Sequence, residues 1–183
     1  MIRRPPRSTL SSSSAASDVY KRQTRHHVNI TMCKAKSNGN YTNSILALHE
    51  ALDSGCDEAL LLDNEGYVAE GSGENVFLIK DGVLHTPELT SCLAGITRST
   101  VFTLAKELGL QILERRITRD EVYIADEAFF TGTAAEVLPI QSLDGRTIGG
   151  GSRGPITEAI QSAYFDQVRG NRSVNEEWHT LVK

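Results

Sequence analysis

The chain has 183 residues, 39% of them hydrophobic and 23% charged, enough apolar matter for a buried core and too much for wholesale disorder. The formal net charge of -4 speaks against a broad basic face for nucleic acid, and no apolar run approaches the ~20 residues of a membrane-spanning helix. Three scattered cysteines, Cys33, Cys56 and Cys92, form neither a disulfide framework nor a zinc spacing, and they suit a reducing, cytoplasmic compartment.

Along the chain the charge is uneven. Residues 1–25 hold six basic side chains against Asp18 alone, and Ser8 to Ser17 is mostly serine and alanine without apolar period. Such a stretch has too little apolar surface to offset its ordering entropy. Its Arg- and Ser-rich composition matches a transit peptide better than a secretory signal. Met1 to Gln23 also resembles translated sequencing-adapter read-through, so 1–23 is expected to be a disordered or artefactual segment ahead of a single domain, 24–183.

From Thr24 onward strands and helices alternate. His27–Met32 is β-branched and predicts a strand. Asn43–Leu52 sets Ile45, Leu46, Leu48 and Leu52 near one helical face, with Gly55 as the stop. Ala59–Leu62, Tyr67–Ala69, Val76–Ile79 and Val83–His85 read as strands, the last two joined by Asp81-Gly82 as a hairpin. Thr97–Leu108 carries Val101, Leu104, Ala105 and Leu108 on one side and closes at Gly109. Leu110–Leu113 and Ala128–Phe130 are further strands. A last helix starts at Pro155 and aligns Ile156, Ile160, Ala163 and Tyr164. The expected class is α+β (mixed α/β), a strand-rich core with surrounding helices.

Individually, the positions that could carry chemistry have plain structural readings. Lys36 in a polar stretch reads as a solvated surface lysine, and Glu70 as part of a turn between strands. Gly149–Gly154 satisfies G-x-G-x-x-G but follows no marked buried strand and runs into Pro155, so it is taken as a loop. The five histidines show no H-E-x-x-H spacing, there is no G-x-S-x-G elbow, and no metal site is expected. Gly95-Ile96-Thr97-Arg98 opens a helix, where free backbone N–H groups suit a phosphate, but on local evidence a simple cap by Thr97 is the preferred reading. Thr131–Glu136 offers small residues to a carboxylate, or is only a tight turn.

Taken together and in order, these segments say more. Lys36–Tyr41, Tyr67–Phe77 around Glu70-Gly71-Ser72-Gly73-Glu74-Asn75, Gly95–Arg98 and Thr131–Pro139 resemble the branched-chain amino-acid aminotransferases, fold-type-IV enzymes of pyridoxal 5'-phosphate. The resemblance runs from about residue 28 to the C-terminus. It implies the large-domain fold of that class and reversible transamination of leucine, isoleucine and valine with 2-oxoglutarate in a ping-pong cycle. It further implies that Lys36 bonds the cofactor aldehyde and shuttles the substrate proton, which requires a poorly solvated amine or a neighbouring cation. Tyr41 matches the partner of the cofactor's phenolic oxygen, and Glu70 the carboxylate facing its ring nitrogen. Leu93, Gly95, Ile96 and Thr97 match the phosphate cup, and Thr133 and Ala134 the turn that meets the phosphate and the substrate carboxylate. Glu74 and Asn75 receive no direct role.

Two departures accompany the resemblance. Ala94 stands where the family commonly has proline. Only 35 residues precede Lys36, where the family has a smaller N-terminal domain, so the expectation is a truncated large domain. The implied partners are small amino and 2-oxo acids, and a second copy of the chain in a homodimer or higher oligomer. Related activities remain open: a D-amino-acid aminotransferase, an aminodeoxychorismate lyase, a cofactor-binding fragment without turnover, or a purely structural domain.

Overall fold

The computed structural model describes residues 17–20, 23–171 and 174–180. Among the described residues nine strands and four α-helices follow one another in the order β1 (Ser17–Tyr20), α1 (Tyr41–Asp53), β2 (Glu58–Leu62), β3 (Val68–Gly71), β4 (Asn75–Lys80), β5 (Val83–Thr86), α2 (Ile96–Glu107), β6 (Ile112–Glu114), α3 (Arg119–Tyr123), β7 (Glu127–Gly132), β8 (Glu136–Leu143), β9 (Arg146–Thr147) and α4 (Pro155–Val168).

All nine strands join one mixed sheet of order β3-β2-β1-β8-β7-β4-β5-β6, with β9 attached to β8. β3 and β4 stand five places apart in that order, yet only Ser72, Gly73 and Glu74 connect them. In a flat sheet five spacings amount to about 24 Å. Three linking residues reach about 14 Å. The sheet therefore curls, and the curl brings the end of β3 against the start of β4, where Gly71 N–H donates to the Glu74 carbonyl at 2.7 Å.

The strand alternation builds two core layers. On β4, Val76 and Leu78 face one cluster with Leu60, Phe130 and Ile140, while Phe77 and Ile79 face another with Leu104, Phe129 and Ile160. The second cluster is the seat of α2 and α4. Phe77 pairs with Phe129 across the β4–β7 ladder, and their rings stack at 5.0 Å between centroids. Asp81-Gly82 forms the expected hairpin, both residues left-handed at φ 50° and 78°. Gly149–Gly154 is a loop, as read, and Pro155 opens α4.

Three sequence expectations require correction. His27–Met32 is a run of turns, not a strand, because its hydrogen bonds stay local, as in Ile30 N–H to the His27 carbonyl. α1 buries Ser44, Ala47 and Ala51, while Ile45, Leu46 and Leu52 are exposed. The small side chains allow the helix to lie close on Ala59 and Leu61 of β2, which the larger ones would prevent. Last, Ser17–Tyr20 lies within the segment expected to be disordered or artefactual, and forms β1, parallel to both β2 and β8 with Val19 in the core. Four residues are too few to show a period, and a slot between two strands orders them through ladder bonds on both edges. The rest of that expectation, residues 1–16 and 21–22, lies outside the described residues. No helix among the described residues is long and apolar enough to cross a membrane.

Candidate active site

A cavity of ≈ 270 Å³ opens where the curled sheet meets the first turn of α2. Its lining includes Lys36, Tyr41, Glu70 and Thr133, and also Leu93, Gly95, Ile96 and Thr97. Eight of the nine residues singled out in the sequence thus line one cavity. Ala134, the ninth, is exposed in the β7–β8 turn next to Thr133 and does not line the cavity.

Each arrives from a different element. Lys36 sits in the polar stretch before α1, and Tyr41 is the first residue of that helix. Glu70 lies on β3, and Thr133 follows β7. Gly95 caps α2 in an extended conformation, so Thr97 is inside the first turn and the reading of Thr97 as the cap is set aside. A Cβ at Gly95 would overlap the Asn75 side-chain oxygen, which explains the glycine. The first N–H groups of α2 have no intrahelical acceptor and lie at the dipole-positive end of a 12-residue helix.

The loop before α2 is tied inward. Asn75 Nδ2 donates to the Leu93 carbonyl at 2.9 Å, Lys34 Nζ to the Cys92 carbonyl at 2.8 Å, and Arg25 Nε to the Ser91 carbonyl at 2.7 Å. With the carbonyls engaged behind, the helix start is left to the cavity.

Glu70 is buried, as is Arg25, whose Nε lies 2.9 Å from Glu70 Oε1. Leu93 N–H donates to the other oxygen at 2.9 Å. Burial outweighs these partners and pushes the Glu70 carboxyl up to about 7, with Arg25 the largest opposing influence and Leu93 the next. A cation brought against Glu70 would favour its ionised form. Thr131 supplies an unspent donor: its hydroxyl is buried, lines the cavity and has no hydrogen-bond partner.

Lys36 is exposed, so the poorly solvated amine expected from the sequence is not observed. Arg25 and Lys34 line the same cavity. Both were missed in the sequence. Their partners Glu70, Ser91 and Cys92 are distant in the chain, and nothing local marks either residue. A larger hollow of ≈ 510 Å³ lies behind Thr97 and Thr133 against Tyr164, Gln167 and Trp178, but neither Lys36 nor Glu70 reaches it.

An amine, a buried carboxylate and a helix N-terminus around one hollow are suited to an anionic, ring-bearing carbonyl compound, and the comparisons with known proteins give that class a family. The chain belongs to the amino-transferase class IV family, whose model matches residues 5–143. It is 68% identical over 160 residues to the branched-chain-amino-acid aminotransferase of Pseudomonas aeruginosa, covering 87% of this chain and 52% of that protein. The enzyme of the same name from Escherichia coli K12 is 47% identical over 145 residues, covering 79% and 47%. Among solved structures, a T.th. branched-chain amino acid aminotransferase complexed with N-(5'-phosphopyridoxyl)-L-glutamate superposes with a TM-score of 0.90 at 48% identity, over 93% of this chain and 57% of that one. The chain spans about half the length of the curated relatives it matches.

Proposed function

We propose that residues 24–183, with β1 held in their sheet, form the pyridoxal-phosphate-binding part of an aminotransferase that moves an amino group reversibly between leucine, isoleucine or valine and 2-oxoglutarate. The single observation that carries this reading is the convergence of Lys36, Glu70 and the N-terminus of α2 on one cavity. The donor set fits the cofactor: an amine for its aldehyde, a carboxylate for its ring nitrogen, and free helix N–H groups with the unpartnered Thr131 hydroxyl for oxygen acceptors.

When bound, pyridoxal phosphate supplies an electron sink for negative charge developing at the substrate Cα. The chain supplies the rest. Lys36 Nζ would hold the aldehyde carbon and, once displaced by the substrate amine, would be the base that takes the Cα proton. Glu70 keeps the ring nitrogen protonated, Arg25 and Leu93 N–H holding its carboxylate in place. Tyr41 donates to the phenolic oxygen. Gly95, Ile96, Thr97 and Thr133 would hold the phosphate, the Leu93 N–H being engaged by Glu70, and Thr133 with Ala134 would receive the substrate carboxylate.

The chemistry requires only small amino and 2-oxo acids as partners. Assembly as a homo-oligomer is supported by the uncovered apolar face of α1, and a cytoplasmic setting by the free cysteines. An assay of the whole protein with 2-oxoglutarate should release the 2-oxo acid from L-leucine and not from D-alanine. Turnover of D-alanine alone would move the assignment to a relative of opposite stereochemistry.

A further inference from the structure

Thr131, the last residue but one of β7, is fully buried, and its hydroxyl is not spent inside the protein. Buried side-chain atoms without a hydrogen-bond partner among the described residues occur on His26, Arg98, Thr131, Thr157 and Gln167. Of these five residues Thr131 alone lines the cavity of Lys36 and Glu70. A hydroxyl that reaches neither water nor a protein acceptor costs stability. Valine has nearly the same shape, suits a strand as well, and would carry no such cost. Nothing within the chain therefore accounts for the hydroxyl.

The strand register shows where the side chain lies. On β7, Glu127 and Phe129 point to the side that seats α2 and α4. Glu127 accepts an N–H at the start of α4, and Phe129 packs with Leu104 and Ile160. Strand alternation puts Thr131 on that side too. Its ladder partner on β4 is Asn75, and Phe77, two places further on, packs in the same cluster as Phe129. Asn75 reaches the start of α2. Its Nδ2 donates to the Leu93 carbonyl at 2.9 Å, and a Cβ at Gly95 would overlap its Oδ1. Thr131 thus sits on the sheet beneath the first turn of α2.

That helix start is itself unspent. Glu127 takes the first N–H groups of α4, whereas α2 has no side-chain cap and no acidic residue in its first turn. Free N–H groups at a dipole-positive end and a partnerless hydroxyl below them ask for the same thing, an oxyanion. We infer that Thr131 is a further anion-binding residue, whose hydroxyl donates to a phosphate oxygen of the ligand held at the N-terminus of α2. This rests on the reading that the start of α2 holds the cofactor's phosphate. The hydroxyl thereby weakens the cofactor-free chain and strengthens the chain that has bound its anion.

The test follows thermal unfolding of the cofactor-free chain with and without inorganic phosphate, for wild type, Thr131→Val and Thr131→Ser. Without phosphate, Thr131→Val should melt about 2–4 °C above wild type, because a sealed, partnerless hydroxyl is gone. The same variant should hold phosphate about tenfold more weakly, read from the concentration needed for a given rise in melting temperature. Thr131→Ser keeps the hydroxyl and should hold phosphate as wild type does. A gain in stability joined to a loss of affinity is what a merely structural threonine would not produce. Direct titration should show pyridoxal 5'-phosphate weakened by a similar factor in Thr131→Val, and pyridoxal, which lacks the phosphate, unchanged.

Equal phosphate affinity in wild type and Thr131→Val overturns the inference, as does a wild type that phosphate does not stabilise. An equal loss for pyridoxal overturns it by moving the hydroxyl to the ring. A lower melting temperature for Thr131→Val, or its failure to fold, overturns the premise that the hydroxyl has no partner within the chain. The phosphate arm involves neither Lys36 nor an aldehyde. Failure of Lys36 to bind pyridoxal phosphate would therefore count against the proposed function and leave the phosphate result standing.

Discussion

Glu70 and Glu127 are both buried, at 6% and 8% exposure, and both have two well-placed partners, yet they do different work. Glu127, the first residue of β7, accepts the Ile156 N–H at 3.0 Å through Oε1 and the Thr157 N–H at 2.7 Å through Oε2. It thereby caps α4, whose own N-cap residue, Gly154, has no side chain to offer. Every strong contact of Glu127 is consumed in joining helix to sheet. Glu70 divides its oxygens between a guanidinium and a loop amide and still lines an open cavity. A buried carboxylate is therefore no mark of function by itself. What it faces decides.

The largest expected effect comes from Glu127→Ala, which orphans two N–H groups at a helix start and empties the space the side chain filled. Urea unfolding should show a loss of about 3 kcal/mol, with little change in the chemistry of the cavity below the unfolding transition. A loss within ~0.5 kcal/mol would place Glu127 with ordinary surface carboxylates and erase the contrast.

Arg25→Met sharpens the comparison from the other side, because it removes the cation from Glu70 and leaves the carboxyl buried. Glu70 and Glu74 are raised to about 7 and about 8 by burial, so over the window from about 4.5 to 8 the native chain holds protons that the unfolded chain has released. Stability accordingly falls as pH rises through that window. In Arg25→Met the Glu70 carboxyl goes higher still. The cost should be about 2 kcal/mol at pH ~8 and much smaller at pH ~5, read from unfolding curves at the two values. An equal cost at both would show that Arg25 acts through packing alone.

The smallest effect is expected at Leu46→Ser on the exposed side of α1, where the stability of the dissociated chain should change by less than ~0.5 kcal/mol. A drop above ~1 kcal/mol would mean that this face is covered in the folded chain.

How much of this was legible in the sequence follows from where the information lies. Val76–Ile79 and Val83–His85 were legible because both faces of β4 are buried and Asp-Gly dictates the turn between them. α2 was legible because its apolar stripe is the one it buries. β8 was not: Pro139 and Gln141 interrupt its apolar run and argue against a central strand, although β1 and β7 pair with it on either side. α1 carried a misleading stripe, since its packing depends on small residues that no hydrophobic pattern rewards. Among the site residues, Lys36, Glu70 and Thr97 were unremarkable singly and legible only as an ordered set. Arg25 and Lys34 were out of reach because their partnerships exist only after the sheet curls.

The most direct measurement of the cofactor site is the visible absorbance of the chain mixed with pyridoxal phosphate, taken for wild type and Lys36→Ala. Wild type should develop the band of lysine-bound cofactor in one-to-one stoichiometry, and Lys36→Ala should lack it with an unchanged far-ultraviolet circular dichroism spectrum. Equal bands in the two proteins would contradict the assignment, because another amine would then be holding the aldehyde.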